Sequence, residues 1–183
     1  MLNIEEKPHA RGLIHIYCGS GKGKTTCGMG LCVRAAGAGL KVLIYQFMKD
    51  NSTSERKVLA HVPGITLADG PAREKFSFRM TKEEKEERRI YYKEKLHELF
   101  RTAGEESYDL LFLDEVIYTI GAGLLGEEEL LDCLDRKPER LEVVLTGQGP
   151  SERLIGKADY VTEMKKVKHP YDRGISARPG IEK

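Results

Sequence analysis

A glycine-rich stretch at residues 18–26, CGSGKGKTT, constrains the fold of this chain more than any other part of the sequence. It lies between an apolar run at residues 13–17 and a segment at residues 25–36 whose small residues favour a helix packed closely on a sheet. A turn that leaves a strand and enters a helix presents backbone N–H groups and the positive end of the helix dipole to an anion. The stretch therefore predicts a phosphate-binding loop in an α/β fold.

The stretch matches most of the phosphate-loop pattern G-x-x-x-x-G-K-[ST]. The match is complete at Gly23, Lys24 and Thr25, whereas Cys18 replaces the first glycine. In this pattern the lysine reaches phosphate oxygens and the hydroxyl of the next residue binds Mg²⁺. A plain glycine-rich turn with a surface lysine is the alternative, but the preceding strand and the following helix favour nucleotide binding.

Length and composition indicate one domain. With 183 residues, 40% of them hydrophobic and 32% charged, the chain can bury one sizeable core. We expect a single domain over residues 1–183, with a short N-terminal arm at 1–11 and a basic segment at 165–183. The four cysteines show no C-x-x-C spacing, which favours free thiols over a zinc site or a disulfide framework.

Charge and hydropathy argue against two classes of partner. The net charge is +1, so no overall field attracts nucleic acid. No run approaches the roughly 18 apolar residues of a membrane-spanning helix, and the N-terminus lacks the continuous apolar region of a signal peptide. We therefore expect a cytoplasmic protein that binds neither nucleic acid nor a membrane.

Apolar runs alternate with helical patterns along the whole chain, which predicts a largely parallel sheet between helices. Beyond the run at 13–17, predicted strands cover residues 41–48, 65–68, 108–113, 141–145 and 159–164. Predicted helices cover residues 25–36, 117–125, 127–134 and 150–158, and a polar loop covers residues 49–57.

A long charged helix is predicted to begin after Thr81, because Thr81 and Glu84 have the spacing of a capping box. Between residues 82 and 95 six basic and five acidic side chains alternate. This mixture favours a solvated face with pairs such as Glu84 and Arg88 over a nucleic-acid-binding stripe. The buried face is predicted to comprise Tyr92, Leu96, Leu99 and Ala103.

Two adjacent acids, Asp114 and Glu115, directly follow the apolar run at 108–113. An acid at the end of a strand can hold Mg²⁺ directly or through its waters, opposite the threonine of a phosphate loop. A chance acidic pair at the start of the next helix is the alternative. Because the glycine-rich loop lies upstream, the sequence predicts that the acids contact metal or nucleotide.

Two further segments leave alternatives open. Phe76 and Phe78 lie on a predicted flexible loop, and their spacing fits either anchors for the following helix or contacts with a flat apolar ligand. The segment at 165–183 carries six Lys or Arg against two acids. That excess suits a polyphosphate or acidic ligand, and it equally suits a solvated terminus.

The motifs GSGKGKTT, VLIYQFMK, LLFLDE, VVLTGQG and VKHPYDRGISARPGIE stand in this order over almost the whole chain. In this combination the chain resembles the P-loop family of ATP:corrinoid adenosyltransferases, also called cob(I)alamin adenosyltransferases. The phosphate loop together with the terminal V-K-H-x-x-D-x-G segment is the most distinctive part of the likeness. The resemblance implies a three-layer P-loop NTPase-like (RecA-like) α/β domain with a mostly parallel sheet. It also accounts for Cys18, since that position is commonly not glycine in the family.

Family members transfer the 5′-deoxyadenosyl group of ATP to the reduced cobalt of a corrinoid and release triphosphate. The resemblance implies ATP and a corrinoid as substrates, Mg²⁺ as a cofactor, a homodimer, and a reductase that supplies electrons. It implies roles in the reaction for Lys24, Thr25 and Glu115, with Mg²⁺ near Thr25, Asp114 and Glu115. The residues implied to wrap the triphosphate are Gly19, Ser20, Gly21, Lys22, Gly23, Lys24, Thr25 and Thr26.

The corrinoid loop of the family typically carries Phe-x-Trp, whereas this chain has no Trp. The counterpart here is Phe76-Ser77-Phe78, so the resemblance implies corrinoid contacts for Phe76 and Phe78. Phe78 in place of Trp keeps apolar area but lacks the indole N–H.

Two other activities fit the phosphate loop taken alone. One is a P-loop phosphotransferase that acts on a small acceptor and releases ADP. The other is an ATP-dependent switch protein that docks nucleic acid through its basic C-terminal segment, which the even charge mixture elsewhere disfavours.

Overall fold

The computed structural model describes residues 12–75 and 77–182. Within them a six-stranded sheet forms the centre of the fold, and every strand pairing is parallel. Its strands are β1 (Ile14–Cys18), β2 (Val42–Gln46), β3 (Ile65–Leu67), β4 (Leu110–Asp114), β5 (Glu142–Thr146) and β6 (Tyr160–Glu163). They lie in the order β3-β2-β4-β5-β1-β6, and the predicted strands are confirmed with small shifts at their ends.

Six α-helices connect these strands within the described part of the chain. They are α1 (Lys24–Gly37), α2 (Arg56–Leu59), α3 (Lys82–Glu105), α4 (Val116–Gly121), α5 (Glu127–Asp135) and α6 (Glu152–Lys157). Among the described residues, no helix is long and apolar enough to cross a membrane. The predicted N-terminal arm at 1–11 and Phe76 lie outside the described residues.

The sheet separates two hydrophobic cores, which makes the fold a three-layer structure. Alternate side chains of β4 point to opposite faces, as expected for a strand. Leu110 and Phe112 pack with α1 and α2 on one face, whereas Leu111 and Leu113 pack with α3, α4, α5 and α6 on the other. The predicted P-loop NTPase-like architecture is confirmed.

Helix α1 lies unusually close to the sheet at Gly28. A Cβ atom at this position would lie 2.3 Å from Cζ of Phe112 on β4, so a larger residue cannot fit unless the helix or the buried Phe112 ring moves. The contact sets the distance between α1 and the sheet. It thereby fixes the N-terminus of α1 at the carboxyl ends of the strands.

Helix α3 begins with the predicted capping box. The Glu84 N–H donates to Oγ1 of Thr81 at 3.2 Å, and the Thr81 N–H donates to Oε2 of Glu84 at 2.7 Å. The predicted pair of Glu84 with Arg88 is wrong, because the preceding loop folds back on the helix and supplies other partners. Lys75 binds Glu84 at 2.8 Å, and Arg88 lies 3.3 Å from Glu74. The predicted inner face is confirmed as buried at Tyr92, Leu96, Leu99 and Ala103.

Residues 49–57 were predicted as a polar loop, but the last two of them belong to helix α2. Its first residue, Arg56, is buried. The Arg56 guanidinium donates to the Ala68 carbonyl at 3.2 Å and pairs with Asp69 at 2.7 Å. Because both partners lie on the segment after β3, the local sequence gave no indication that a charged residue is buried here.

Candidate functional site

The carboxyl ends of the strands and the N-terminus of α1 border a cleft of about 330 Å³. Residues 20–26 of the phosphate loop (residues 19–26) form its floor together with Glu115. Gly19 and Gly23 have φ values of 99° and 119°, a left-handed conformation that residues other than glycine rarely adopt. The predicted strand, glycine-rich loop and helix are thus all present.

The phosphate loop rests directly against the end of β6. The Gly21 N–H donates to the Met164 carbonyl at 2.6 Å, and the Met164 N–H donates to the Cys18 carbonyl at 2.8 Å. A Cβ atom at Gly19 or Gly21 would lie 2.6 or 2.7 Å from that Met164 oxygen. Close backbone approach is a second reason for glycine at these two positions.

Cys18, the departure from the phosphate-loop pattern, is the last residue of β1. Its side chain is buried in the core on the α3 face of the sheet, and its extended backbone does not need glycine. Burial raises the pKa of the Cys18 thiol, and the nearby Glu163 raises it further. The structure therefore makes Cys18 a small core residue and not a reactive thiol at the cleft.

Lys24 folds back on the loop that precedes it. Its Nζ donates to the Gly19 carbonyl at 2.8 Å and to the Gly21 carbonyl at 2.9 Å. The neighbouring Thr25 hydroxyl donates to Oδ1 of Asp114 at 2.8 Å. The structure thus brings together the threonine and the acid that the sequence predicts as a pair.

Asp114 is fully buried, and each of its carboxylate oxygens accepts two hydrogen bonds. Oδ1 accepts from the hydroxyls of Thr25 and Thr146, at 2.8 and 2.7 Å. Oδ2 accepts from Lys49 Nζ at 2.6 Å and from the Gln46 amide at 3.2 Å. A buried carboxylate is tolerated when it is paired and hydrogen-bonded in this way.

Glu115 adopts a left-handed backbone with φ of 61° at the start of α4. Its N–H donates to the Thr146 hydroxyl at 2.7 Å, and the residue lines the cleft beside the phosphate loop. Burial raises the pKa of the Glu115 carboxyl, Asp114 raises it further, and Lys49 and Lys24 oppose the rise. Both predicted acids therefore lie at the site, in different surroundings.

The sequence analysis named none of three further site residues, Gln46, Lys49 and Thr146, although it placed Lys49 in a polar loop after a strand. Each lies at or just beyond the carboxyl end of an apolar strand, in the motifs VLIYQFMK and VVLTGQG. A polar residue at this position in a parallel sheet is an indication of ligand contact, and it could have identified them. Burial opposes the charge of Lys49, but the paired carboxylate of Asp114 raises the pKa of Lys49 above its usual value.

The C-terminal segment forms the other wall of the cleft. A 3₁₀ helix, Pro170–Arg173, begins where Nδ1 of His169 accepts the Tyr171 N–H at 3.1 Å. Lys166 pairs with Asp172 at 2.9 Å, and Arg178 pairs with Glu182 at 2.8 Å. Most residues of this segment are exposed, although part of it lines the cleft. Its cleft-lining residues are His169, Pro170, Tyr171, Ile175, Ser176, Ala177, Ile181 and Glu182.

Phe78 lies away from the residues that line this cleft. It belongs to a 3₁₀ helix, Ser77–Arg79, and is 76% exposed. The expected flexible loop is thus partly helical, and ion pairs of Glu74 and Lys75 hold it to α3. Because its ring is exposed, Phe78 is not a core anchor for the following helix.

Comparison with known proteins agrees with this geometry. Residues 10–182 match the family model described as ATP:corrinoid adenosyltransferase BtuR/CobO/CobP. The corrinoid adenosyltransferase of Escherichia coli strain K12 is 31% identical over 182 residues, which is 98% of this chain and 89% of that protein.

Two other relatives are similar over nearly the same length. The corrinoid adenosyltransferase CobA of Salmonella typhimurium strain LT2 is 29% identical, with 98% of this chain and 89% of that protein covered. The corrinoid adenosyltransferase of Sinorhizobium sp is 33% identical over 180 residues, which is 96% of this chain and 82% of that protein. On the family match and these relatives, the chain belongs to the ATP:corrinoid adenosyltransferase family, whose function is ATP-dependent adenosyl transfer to a corrinoid.

Proposed function

We propose that this protein transfers the 5′-deoxyadenosyl group of ATP to the reduced cobalt of a corrinoid and releases triphosphate. One observation carries the proposal. The C-terminal VKHPYDRG segment, which distinguishes the family from other P-loop proteins, forms a wall of the same cleft whose floor is the phosphate loop. The two most distinctive motifs of the chain therefore face one ligand site.

The phosphate loop is proposed to bind the triphosphate through the N-terminus of α1 and through backbone N–H groups other than that of Gly21, which donates to the Met164 carbonyl. Lys24 now donates to two neutral carbonyls of its own loop. Phosphate oxygens are stronger acceptors because they are charged. We therefore expect Nζ of Lys24 to exchange Gly19 and Gly21 for the phosphates when ATP binds.

The donor set beside the loop fits Mg²⁺, which prefers hard oxygen ligands. A hydroxyl from Thr25 and carboxylates from Asp114 and Glu115 lie at the carboxyl ends of the strands, and these residues are proposed to hold the ion. Because both oxygens of Asp114 already accept two hydrogen bonds, we expect Asp114 to act through a bound water. Bound Mg²⁺ supplies positive charge that stabilises the phosphate oxygens.

The proposed reaction needs no proton transfer by the protein. The electron pair of cobalt(I) forms a bond to C5′ of ATP, and the C5′–oxygen bond breaks with its electron pair on the departing triphosphate. The protein then has three tasks: to align C5′ with cobalt, to stabilise the leaving triphosphate and to exclude water. The phosphate loop, with Lys24 and Thr25, serves the second task.

Phe78, and Phe76 before it, are proposed to contact the corrinoid. The support is that the Phe78 ring is exposed on a short helix, since exposed apolar surface can mark a binding site for an apolar ligand. A reductase that supplies electrons for cobalt(I) is the partner implied by the chemistry.

A homodimer is also proposed. Its support is the surface of β6, an edge strand whose Tyr160 and Val161 side chains are 52% and 43% exposed. An edge strand of this kind is a ready site for association with another chain.

The direct test is to mix purified protein with ATP, Mg²⁺ and cobalamin that has been chemically reduced to cobalt(I). We expect a product whose visible spectrum changes on exposure to light, as the cobalt–carbon bond breaks. A parallel sample without ATP gives the background. If no light-sensitive product forms with active, folded protein, the proposed function is wrong.

A further inference from the structure

The turn after β2 is held in a strained shape immediately before Lys49. The Phe47 N–H donates to the Asp114 carbonyl at 2.9 Å, so the end of β2 is tied to the end of β4. Met48 has φ of 53°, and its N–H donates to the buried Tyr92 hydroxyl at 2.9 Å. A residue other than glycine in the left-handed conformation costs free energy, and such residues often lie at functional sites.

This turn places the Lys49 ammonium beside Asp114. Its Nζ lies 2.6 Å from Oδ2 of Asp114 and 3.5 Å from Oγ1 of Thr25. The Lys49 side chain is 25% exposed, and that of Asp114 is fully buried. Lys49 therefore contacts two of the three groups that are proposed to hold the divalent cation.

The Lys49 ammonium and a divalent cation compete for the same carboxylate, that of Asp114. Mg²⁺ needs its oxygen ligands at about 2.0–2.1 Å and keeps several waters around it. Lys49 already occupies an oxygen of Asp114, and two cations this close repel one another strongly at a partly buried site. The ion must therefore either displace the ammonium or bind against its repulsion.

We propose that Lys49 is a positioning residue that acts as the resident cation of the metal site. The ammonium holds Asp114 and Thr25 in place when no divalent ion is bound, and it lowers the affinity of the empty site for such an ion. The negative charge of a bound triphosphate offsets this repulsion, so the divalent ion enters together with the nucleotide. The inference rests on the proposed function at one point only, namely that the metal site serves ATP binding.

The test uses Mn²⁺ as the probe, in the absence of nucleotide and corrinoid, with the free ion measured by electron paramagnetic resonance. Lys49→Gln keeps a hydrogen-bond donor and removes the charge, so we expect the dissociation constant for Mn²⁺ to fall about tenfold or more. Lys49→Arg keeps the charge and is expected to bind Mn²⁺ as weakly as the wild type.

A matched control is Lys57→Gln on α2. Lys57 is exposed, and its substitution changes the net charge by the same amount without touching Asp114. We expect no change in Mn²⁺ affinity for this variant. If Lys57→Gln and Lys49→Gln tighten Mn²⁺ binding equally, overall charge explains the effect and the proposal is overturned.

A purely structural role for Lys49 predicts a different result. In that case Lys49→Gln would disorganise Asp114 and Thr25 and would leave Mn²⁺ binding unchanged or weaker. Thermal unfolding shows whether each variant is folded, and Lys49→Met is a second charge-free variant. Loss of folding in both charge-free variants, with Lys49→Arg folded, would assign Lys49 a structural role and overturn the proposal. Failure of adenosyl transfer by the wild type would overturn the proposed function without altering this titration.

Discussion

The Lys24 side chain is hydrogen-bonded within its own loop. Its ammonium rests on the carbonyls of Gly19 and Gly21, within the loop that it is proposed to serve. Such contacts with neutral oxygens keep the loop compact, and they cost little to exchange for phosphate.

Lys24→Ala tests this residue. The substitution removes charge-assisted hydrogen bonds worth about 1.5–3 kcal/mol each, so the dissociation constant for ATP should rise about tenfold or more. Titration calorimetry with ATP and Mg²⁺ measures it, and thermal unfolding confirms that the variant is folded. An unchanged ATP affinity would remove the support for phosphate binding by this loop.

Glu74 gives a prediction about pH. Both of its carboxylate oxygens are buried, with the Arg88 guanidinium 3.3 Å away and the Tyr92 hydroxyl beside them. Burial raises the pKa of Glu74 above its ordinary value of 4.5, and Arg88 opposes this only in part. Because the folded protein holds this proton more tightly than the unfolded chain, the stabilisation from protonation is lost as the pH rises through the folded pKa.

Glu74→Gln replaces the titrating group with a neutral one of similar shape. We expect its free energy of unfolding, relative to the wild type, to be higher at about pH 7.5 than at about pH 4. Urea unfolding at both pH values measures the difference. A difference that is the same at both values, or larger at low pH, would show that Glu74 is not a carboxyl with a raised pKa.

At the scale of whole elements, α1 depends on glycine for its distance from the sheet. Gly28→Ala places a Cβ atom 2.3 Å from Cζ of Phe112, and overpacking of this kind costs about 1–3 kcal/mol. Gly30 lies in the same helix, and in the described chain nothing lies within 4 Å of a Cβ atom built there. Gly30→Ala should therefore stabilise the protein by about 0.5–1 kcal/mol.

Urea unfolding of the two variants compares their free energies with that of the wild type. Opposite signs are the expected result, because helix propensity favours both substitutions and only Gly28 meets Phe112. Two stabilising substitutions would show that α1 can move away from the sheet at little cost.

The short helix Ser77–Arg79 presents Phe78 to solvent, and Phe78→Ala tests whether that exposure serves the corrinoid. We expect ATP affinity to be kept and the rate with limiting corrinoid to fall about tenfold or more, from the loss of apolar contact. Val58→Ala, on α2, removes another exposed apolar side chain and should change neither quantity. Equal losses of ATP binding and of rate in Phe78→Ala would assign Phe78 to the fold.

Elements whose sequence signal is local were predicted well. The capping box at Thr81 and the helical repeat from Tyr92 identified α3, and the apolar runs identified the strands. Contacts between distant segments were not predicted. Arg56 is buried and pairs with Asp69, 13 residues further along the chain. Glu84 binds Lys75 and not Arg88, because tertiary packing determines which of several charged side chains come together.

At the scale of the molecule, the order of the strands in the sheet brings the site residues together. Thr25 and Asp114 are 89 residues apart in sequence. Thr25 lies on α1, which follows β1, and β5 lies between β1 and the strand of Asp114, β4. Thr146 at the end of β5 bonds Asp114 and receives the Glu115 N–H. The sequence identified the acids and the loop but not the residues between them, because strand order is a property of the whole sheet.

The sharpest measurement is the identity of the nucleotide product when folded protein is incubated with ATP, Mg²⁺ and cobalt(I) cobalamin. Phosphorus NMR distinguishes triphosphate from ADP. The change in absorbance on illumination measures the amount of light-sensitive corrinoid. We expect triphosphate in amounts equal to the light-sensitive product. Formation of ADP in its place, without a cobalt–carbon product, would indicate phosphoryl transfer and contradict adenosyl transfer.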